Sequence, residues 1–193
     1  MFTQLFKSIH EKVTLTNDEM QLCKTFFIPK KIRKKHYFLQ EGDLSKYNAF
    51  VEKGLLRSFT IDEKGNEHII QFAIEGWWVS DLSSFLTGGL STYNIEALED
   101  SELLLLTTSA RDELMNKVPM FERYQRLLLQ NAYIALQQRI TSALTETAEE
   151  KYTKMVSNYS DIVQRIPQHM VASYLGLTPE TLSRVRKQIA LRK

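Results

Sequence analysis

Apolar positions along the chain change their period twice, and each change marks a new kind of structure. Over residues 1–27 they recur at helical spacing, and Thr16-Asn17-Asp18-Glu19 has the Thr-x-x-Glu order of a capping box. Two helices are predicted there, anchored by Leu15, Leu22, Phe26 and Phe27. Pro29 ends the segment. From residue 36 to about 106 the period becomes two, in short runs punctuated by Gly42, Gly54, Gly65 and Gly76. Ile70, Phe72 and Ile74 alternate with Ile69, Gln71 and Ala73, while Tyr93, Ile95 and Ala97 alternate with Asn94, Glu96 and Leu98. Asp62-Glu63-Lys64-Gly65-Asn66 has the residues of a turn between two strands. With no helix expected between them, these strands predict an antiparallel roll or barrel, and the chain as a whole reads as α+β.

From Pro119 to residue 147 the helical period returns without a further Pro or Gly. Leu129, Tyr133, Leu136, Ile140, Ala143 and Thr147 follow one another at spacings of 4, 3, 4, 3 and 4, the seam of a coiled coil. A partner helix is implied, and the sustained heptad favours a homodimer, the alternative being a helix packed only on its own domain, as Leu127 and Leu128 are expected to be. Residues 146–158 predict another helix, turning Tyr152, Met155, Val156 and Tyr159 to a core.

The stretch from Gln168 to Lys187 reads as two short helices joined by a turn, a helix-turn-helix. Val171, Ala172, Leu175, Leu177, Leu182 and Val185 stand where two steeply crossed helices bury them, and Gly176 falls at the turn. Thr178 is placed to cap the second helix, Pro179 fits its first position and Glu180 lies at the positive end of its dipole. Glu180, Ser183, Arg184 and Lys187 then share the face opposite Leu182, Val185 and Ile189. A carboxylate accepts from cytosine N4 and a guanidinium chelates guanine O6 and N7, so this face has the chemistry of base reading. The alternative is an intramolecular i,i+4 pair between Glu180 and Arg184 on an ordinary solvated helix.

Charge sharpens the assignment. The chain of 193 residues carries a formal charge of only +2, yet Arg165, Arg184, Arg186, Lys187, Arg192 and Lys193 stand against Asp161 and Glu180 at its end. A basic end on a mildly acidic body suits a module that meets phosphates. A second basic cluster, Lys30, Lys31, Arg33, Lys34 and Lys35, is read as a solvated strand edge, nucleic-acid contact being the alternative, because it lies far in sequence from the recognition helix. The 43% hydrophobic content is sufficient for a substantial core.

Leu177-Thr178-Pro179-Glu180-Thr181-Leu182-Ser183-Arg184 resembles the start of the recognition helix in the Crp/Fnr family of bacterial transcription regulators. Glu180, Ser183 and Arg184 match the three residues that the Fnr branch sets on base edges, while Pro179 stands where the Crp branch has an arginine. The resemblance implies double-stranded DNA as partner, a palindrome with TTGA-like half-sites, Thr178, Arg186 and Lys187 as further contacts, and RNA polymerase as a further partner. It also implies a cyclic-nucleotide-binding β-roll: Phe38-Leu39-Gln40-Glu41-Gly42-Asp43, Phe50-Val51-Glu52-Lys53-Gly54 and Gly76-Trp77-Trp78-Val79-Ser80-Asp81-Leu82 are similar to its strand and turn signatures. The expected division is a β-roll with N-terminal helices at 1–118, a dimerisation helix at 119–147 and a helix-turn-helix domain at 148–193, winged-helix-like with the wing trimmed.

At the effector cassette the resemblance fails. Where cAMP-binding members have Gly-Glu-Leu and an Arg-Ser-Ala-Thr-like run, this chain has Ser80-Asp81-Leu82 and Ser91-Thr92-Tyr93-Asn94, and Ser91 replaces the arginine that neutralises the cyclic phosphate. A buried phosphate without a cation loses charge-assisted hydrogen bonds worth about 1.5–3 kcal/mol each. The expectation is a regulator that does not answer to cAMP, its degenerate pocket formed by Ser80, Asp81, Leu82, Ser91 and Thr92, with Trp77, Trp78, Phe85 and Tyr93 belonging to the core. A regulator answering to another small effector in the roll, and a module that binds protein instead of DNA, are the alternatives.

His10, His36, His68 and His169 stand apart, a single Cys23 excludes a four-cysteine iron–sulfur cluster, and no nucleophile elbow or phosphate loop is present. Neither metal, cofactor nor enzymatic activity is expected. No apolar run approaches the roughly 18 residues of a membrane span, so a cytoplasmic protein is expected.

Overall fold

The computed structural model describes residues 1–192. Helices α1 (Thr3–His10) and α2 (Asn17–Phe26) lead into eight strands: β1 (Ile28–Ile32), β2 (Tyr37–Leu39), β3 (Tyr47–Lys53), β4 (Leu56–Ile61), β5 (Glu67–Ala73), β6 (Trp78–Val79), β7 (Asn94–Ala97) and β8 (Ser101–Thr107). A short helix, α3 (Leu82–Thr87), interrupts the strands between β6 and β7, contrary to the helix-free expectation. Its six residues are too few to show a helical period; it forms because Asp81 caps one end and Gly88, left-handed at φ 73°, closes the other. Six further helices follow: α4 (Thr108–Lys117), α5 (Pro119–Thr145), α6 (Ala148–Asn158), α7 (Ser160–Arg165), α8 (Gln168–Leu175) and α9 (Pro179–Ala190).

The strands make two antiparallel four-stranded sheets, ordered β1-β8-β3-β6 and β2-β7-β4-β5. Between them lies a core of Leu39, Val51, Leu56, Val79, Ile95, Leu103 and Leu105. A second core under α1, α2, α4 and the start of α5 gathers Leu5, Ile9, Leu15, Phe27, Leu114, Phe121 and Tyr124, with Leu22, Phe26, Leu127 and Leu128 against it. The capping box of α2 forms as expected, Thr16 accepting from the Glu19 amide while Glu19 accepts from the Thr16 amide. The 62–66 turn forms as well, with Gly65 at φ 82°.

The β5 alternation is broken. A bulge opposite Ser58 and Phe59 passes over Ile70, so Ile69 and Phe72 are both buried while Ile70 is exposed. Those two side chains, with Leu55 and Phe59, meet Met155, Ile162, Ile166, Val171, Ala172 and Leu182 in a third core. The C-terminal helices are thereby seated on the outer face of the second sheet. Val156 departs from expectation and lies at the surface, because only Met155 on that turn of α6 is buried.

Candidate DNA interface and effector cassette

The helix-turn-helix is built as its sequence dictates. Val171 and Ala172 of α8 are fully buried. Gly176 takes the left-handed conformation at φ 67°, and the Leu177 amide donates back to the Ala172 carbonyl at 2.9 Å, closing the turn. Thr178 caps α9 by accepting from the Thr181 amide at 3.2 Å, and Pro179 opens the helix. Leu182 and Val185 are buried, whereas Thr178, Glu180, Ser183, Arg184, Arg186 and Lys187 are all exposed. Glu180 and Arg184 form no ion pair with each other among the described residues. The Glu180 amide first, and the Thr178 hydroxyl next, hold the Glu180 carboxyl below the usual carboxylate range, which keeps it an acceptor. Arg192 is not free for a phosphate here, because Glu149 of α6 binds it; Lys193 lies outside the described residues.

On α5, Leu129, Tyr133, Leu136 and Ile140 are each more than half exposed, and Ala143 is exposed too. The seam ends there: Thr147 lies beyond the helix and serves instead as the capping residue of α6, accepting from the Glu150 amide at 3.3 Å.

The cassette residues converge, except one. Asp81, 3% exposed, accepts from the Ser84 amide at 3.0 Å, the Thr92 amide at 3.2 Å and the Ser91 hydroxyl at 3.1 Å. Ser80 accepts at its carbonyl from the Tyr93 hydroxyl at 2.8 Å. Burial first, and the Asp81 carboxylate second, push the Tyr93 phenol up, so it stays a donor. Leu82 instead reaches the surface, because the first turn of α3 turns it away from the sheets. The arrangement holds an anion already: Asp81 takes three donors that a ligand phosphate would otherwise compete for. An open groove of about 460 Å³ beside the cassette is lined by Phe38, Asp43, Leu44, Lys46, Tyr47 and Leu90, not by Asp81 or Ser91. Trp78 packs on Phe50 at 5.4 Å and donates to Tyr124, Trp77 packs on Tyr159 at 5.9 Å, and Phe85 is buried.

Two arginines fasten the C-terminal helices to the roll: Arg165, which the sequence counted with the phosphate-meeting basic end and which is instead spent on carboxylates of the roll, and Arg139, which the sequence did not single out. Arg165 of α7 donates to Glu75 at 2.8 and 3.1 Å and to Glu99 at 2.9 and 2.7 Å. Arg139 of α5 donates to the carbonyls of Ile69, Ile70 and Tyr174 and lies 4.3 Å from the Tyr174 ring. Ser173 adds a bridge, accepting from the Ile69 amide at 3.0 Å and donating to the Glu67 carbonyl at 2.8 Å. The partners of Arg165 are 66 and 90 residues away, so no local pattern announces them.

Comparison with known proteins extends this picture. The cyclic nucleotide-binding domain family matches residues 29–118. Over 186 residues the chain is 28% identical to the fumarate and nitrate reduction regulatory protein of Vibrio cholerae, a match spanning 89% of this chain and 73% of that one. The regulatory protein HlyX of Actinobacillus pleuropneumoniae is 27% identical over 89% of this chain and 76% of its own. Among solved structures, FixK2 from Bradyrhizobium japonicum has a TM-score of 0.74 at 18% identity, covering 86% of this chain and 85% of that one. The c-di-GMP responsive regulator CLP of Xanthomonas campestris has a TM-score of 0.75 at 11% identity, with 92% and 93% covered. Roll, long helix and helix-turn-helix in this order define a DNA-binding transcription regulator. Over most of its length the chain is similar to regulators of the Fnr type.

Proposed function

We propose that the chain acts as a homodimer that reads a palindrome with TTGA-like half-sites, and that it does so without answering to cAMP. One observation carries the first part: a recognition helix buried on one side by Leu182 and Val185 presents Glu180, Ser183, Arg184 and Lys187 to solvent on the other, with Glu180 and Arg184 not spent on each other. Arg184 suits guanine, Glu180 suits cytosine N4, and Ser183 suits either edge. Lys187, Arg186 and Thr178 lie where phosphates would flank the groove. The exposed stripe from Leu129 to Ala143 is the face a second copy covers. Two copies of α9 about 34 Å apart would then meet successive major grooves on one side of the duplex.

The second part rests on Asp81. Its carboxylate is satisfied within the cassette, and Ser91 supplies a hydroxyl where a phosphate requires a cation. Selection from a randomised duplex pool tests the first part, with enrichment of a two-fold symmetric site as the supporting result. Calorimetry with cAMP, in the presence and absence of that site, tests the second.

A further inference from the structure

Arg139 stands on α5 at the margin of the exposed stripe, next to Ile140 and one turn from Leu136 and Ala143, and is itself half-buried. Among the described residues it pairs with no carboxylate. Its guanidinium donates to three backbone carbonyls instead: Ile69 at 3.1 Å and Ile70 on β5, and Tyr174 at 3.2 Å on α8.

Each acceptor is free for a local reason. Strand β5 is the edge of its sheet, so one side of it has no neighbouring strand to bond. The bulge at Ile70 brings two successive carbonyls within reach of one guanidinium, where a regular strand turns them to opposite sides. Tyr174 lies in the last turn of α8, whose final carbonyls lack partners within the helix and form the negative end of its dipole. A planar fork of five donors serves acceptors on two elements at once, which a lysine does not.

Bonds to backbone fix the positions of elements, not of side chains. Arg139 thus joins α5 to the roll and to the first helix of the helix-turn-helix. Helix α9 moves with α8, because Leu182 shares a core with Val171 and Ala172. The covalent link is looser: α5 ends at Thr145, Glu146 is extended, and α6 starts at Ala148. Arg165 ties α7 to the roll but makes no bond to α5.

We propose that Arg139 is a positioning residue that sets the distance between the two recognition helices, and with it the half-site spacing the dimer accepts. The proposal rests on the reading of α9 as the base-reading helix and of the α5 stripe as the dimer seam. One base pair is about 3.4 Å of duplex axis, so one more or one fewer between the half-sites shifts each recognition helix by only about 1.7 Å relative to the two-fold axis. A hydrogen bond near 3 Å is lost over such a displacement, so the clamp is stiff on the scale that matters.

The test uses the whole chain and a series of duplexes whose spacer between half-sites is changed one base pair at a time. Wild type is expected to favour one spacer, its affinity falling about tenfold for one base pair either way, as for the loss of one good base contact. Arg139→Gln should lose affinity at the favoured spacer and flatten the profile, while its base preference within each half-site and its sedimentation as a dimer stay those of wild type. Arg139→Lys keeps the charge and should flatten the profile too; it carries the comparison alone if Arg139→Gln does not fold. A wild-type profile in either variant overturns the proposal. So does a wild type that is monomeric, or that selects half-sites but ignores their spacing. If no palindrome is preferred at all, the base-reading assignment fails instead, and a measurement without DNA decides. A spin label at Gln188→Cys, exposed on α9 while Cys23 is buried, reports the distance between the two copies. A narrow distribution that broadens on Arg139→Gln supports the positioning role, and equal widths overturn it.

Discussion

Arg184 and Lys187 stand one turn apart on the same face of α9, yet the chemistry of each assigns it a different task. A planar guanidinium reads a base edge in two hydrogen bonds, whereas a lysine beside it meets phosphates. Arg184→Ala is therefore expected to cost about 1–3 kcal/mol on the selected site and to relax the choice at one base pair, whereas Lys187→Ala should weaken all sequences alike. Competition titrations against single-base variants of the site measure both; equal, sequence-blind losses would remove the base-reading role. In the cassette, Ser91→Arg is expected not to create cAMP affinity by calorimetry, because the new guanidinium would lie against Asp81 and pair with it. Cys23 is inert by the same kind of reasoning. Burial first, and nearby Glu19 second, push its thiol up to about 11, so slow reaction with a soluble thiol reagent is expected in the folded protein.

At the scale of elements, α9 depends on its start. Thr178→Ala removes the side chain that accepts from the Thr181 amide and should destabilise the protein by about 1 kcal/mol in denaturant titration. Helix α5 depends on what covers it. Ile140→Glu places a charge within the exposed stripe, and sedimentation should then show monomers with weakened palindrome binding. An intact dimer would mean that another surface joins the copies. These elements were legible in the sequence because their signals are local. A cap three residues from the amide that donates to it, a proline at the first helical position and a seven-residue repeat need no knowledge of the rest of the chain. Helix α3 and the bulge at Ile70 were not legible: the first is too short for a period, and the second depends on the strand alongside.

The molecule as a whole is joined by Arg165. Desolvation raises the Glu75 carboxyl, but hydrogen bonds from Arg165 and the Gly54 amide outweigh it and leave the folded value below the ordinary one. A depressed carboxylate stabilises the fold above its unfolded value, about 4.3, and ceases to do so as pH falls through the folded value. Arg165→Ala should therefore lower stability by roughly 1–2 kcal/mol at neutral pH, an amount reduced by the partial exposure of the cluster. The difference from wild type should shrink below about pH 4, as thermal unfolding across pH would show. Gly54 has its own constraint at this junction: at φ 103°, a Cβ there would come within 2.8 Å of the Ser101 backbone.

By itself the sequence determined most of the helices, the roll, the polar face of α9 and the departure of the cassette from the pattern of a cAMP site. Each of these is written in neighbours along the chain or in the type of one residue, Ser91 in place of a cation being the plainest. Only the tertiary structure decided that Asp81 fills the cassette from within, that the helix-turn-helix is seated on Ile69 and Phe72, and that Arg165 ties α7 to Glu75 and Glu99 of the roll. Contacts of that kind join residues tens of positions apart, and their energy depends on how whole elements pack, which no local pattern records.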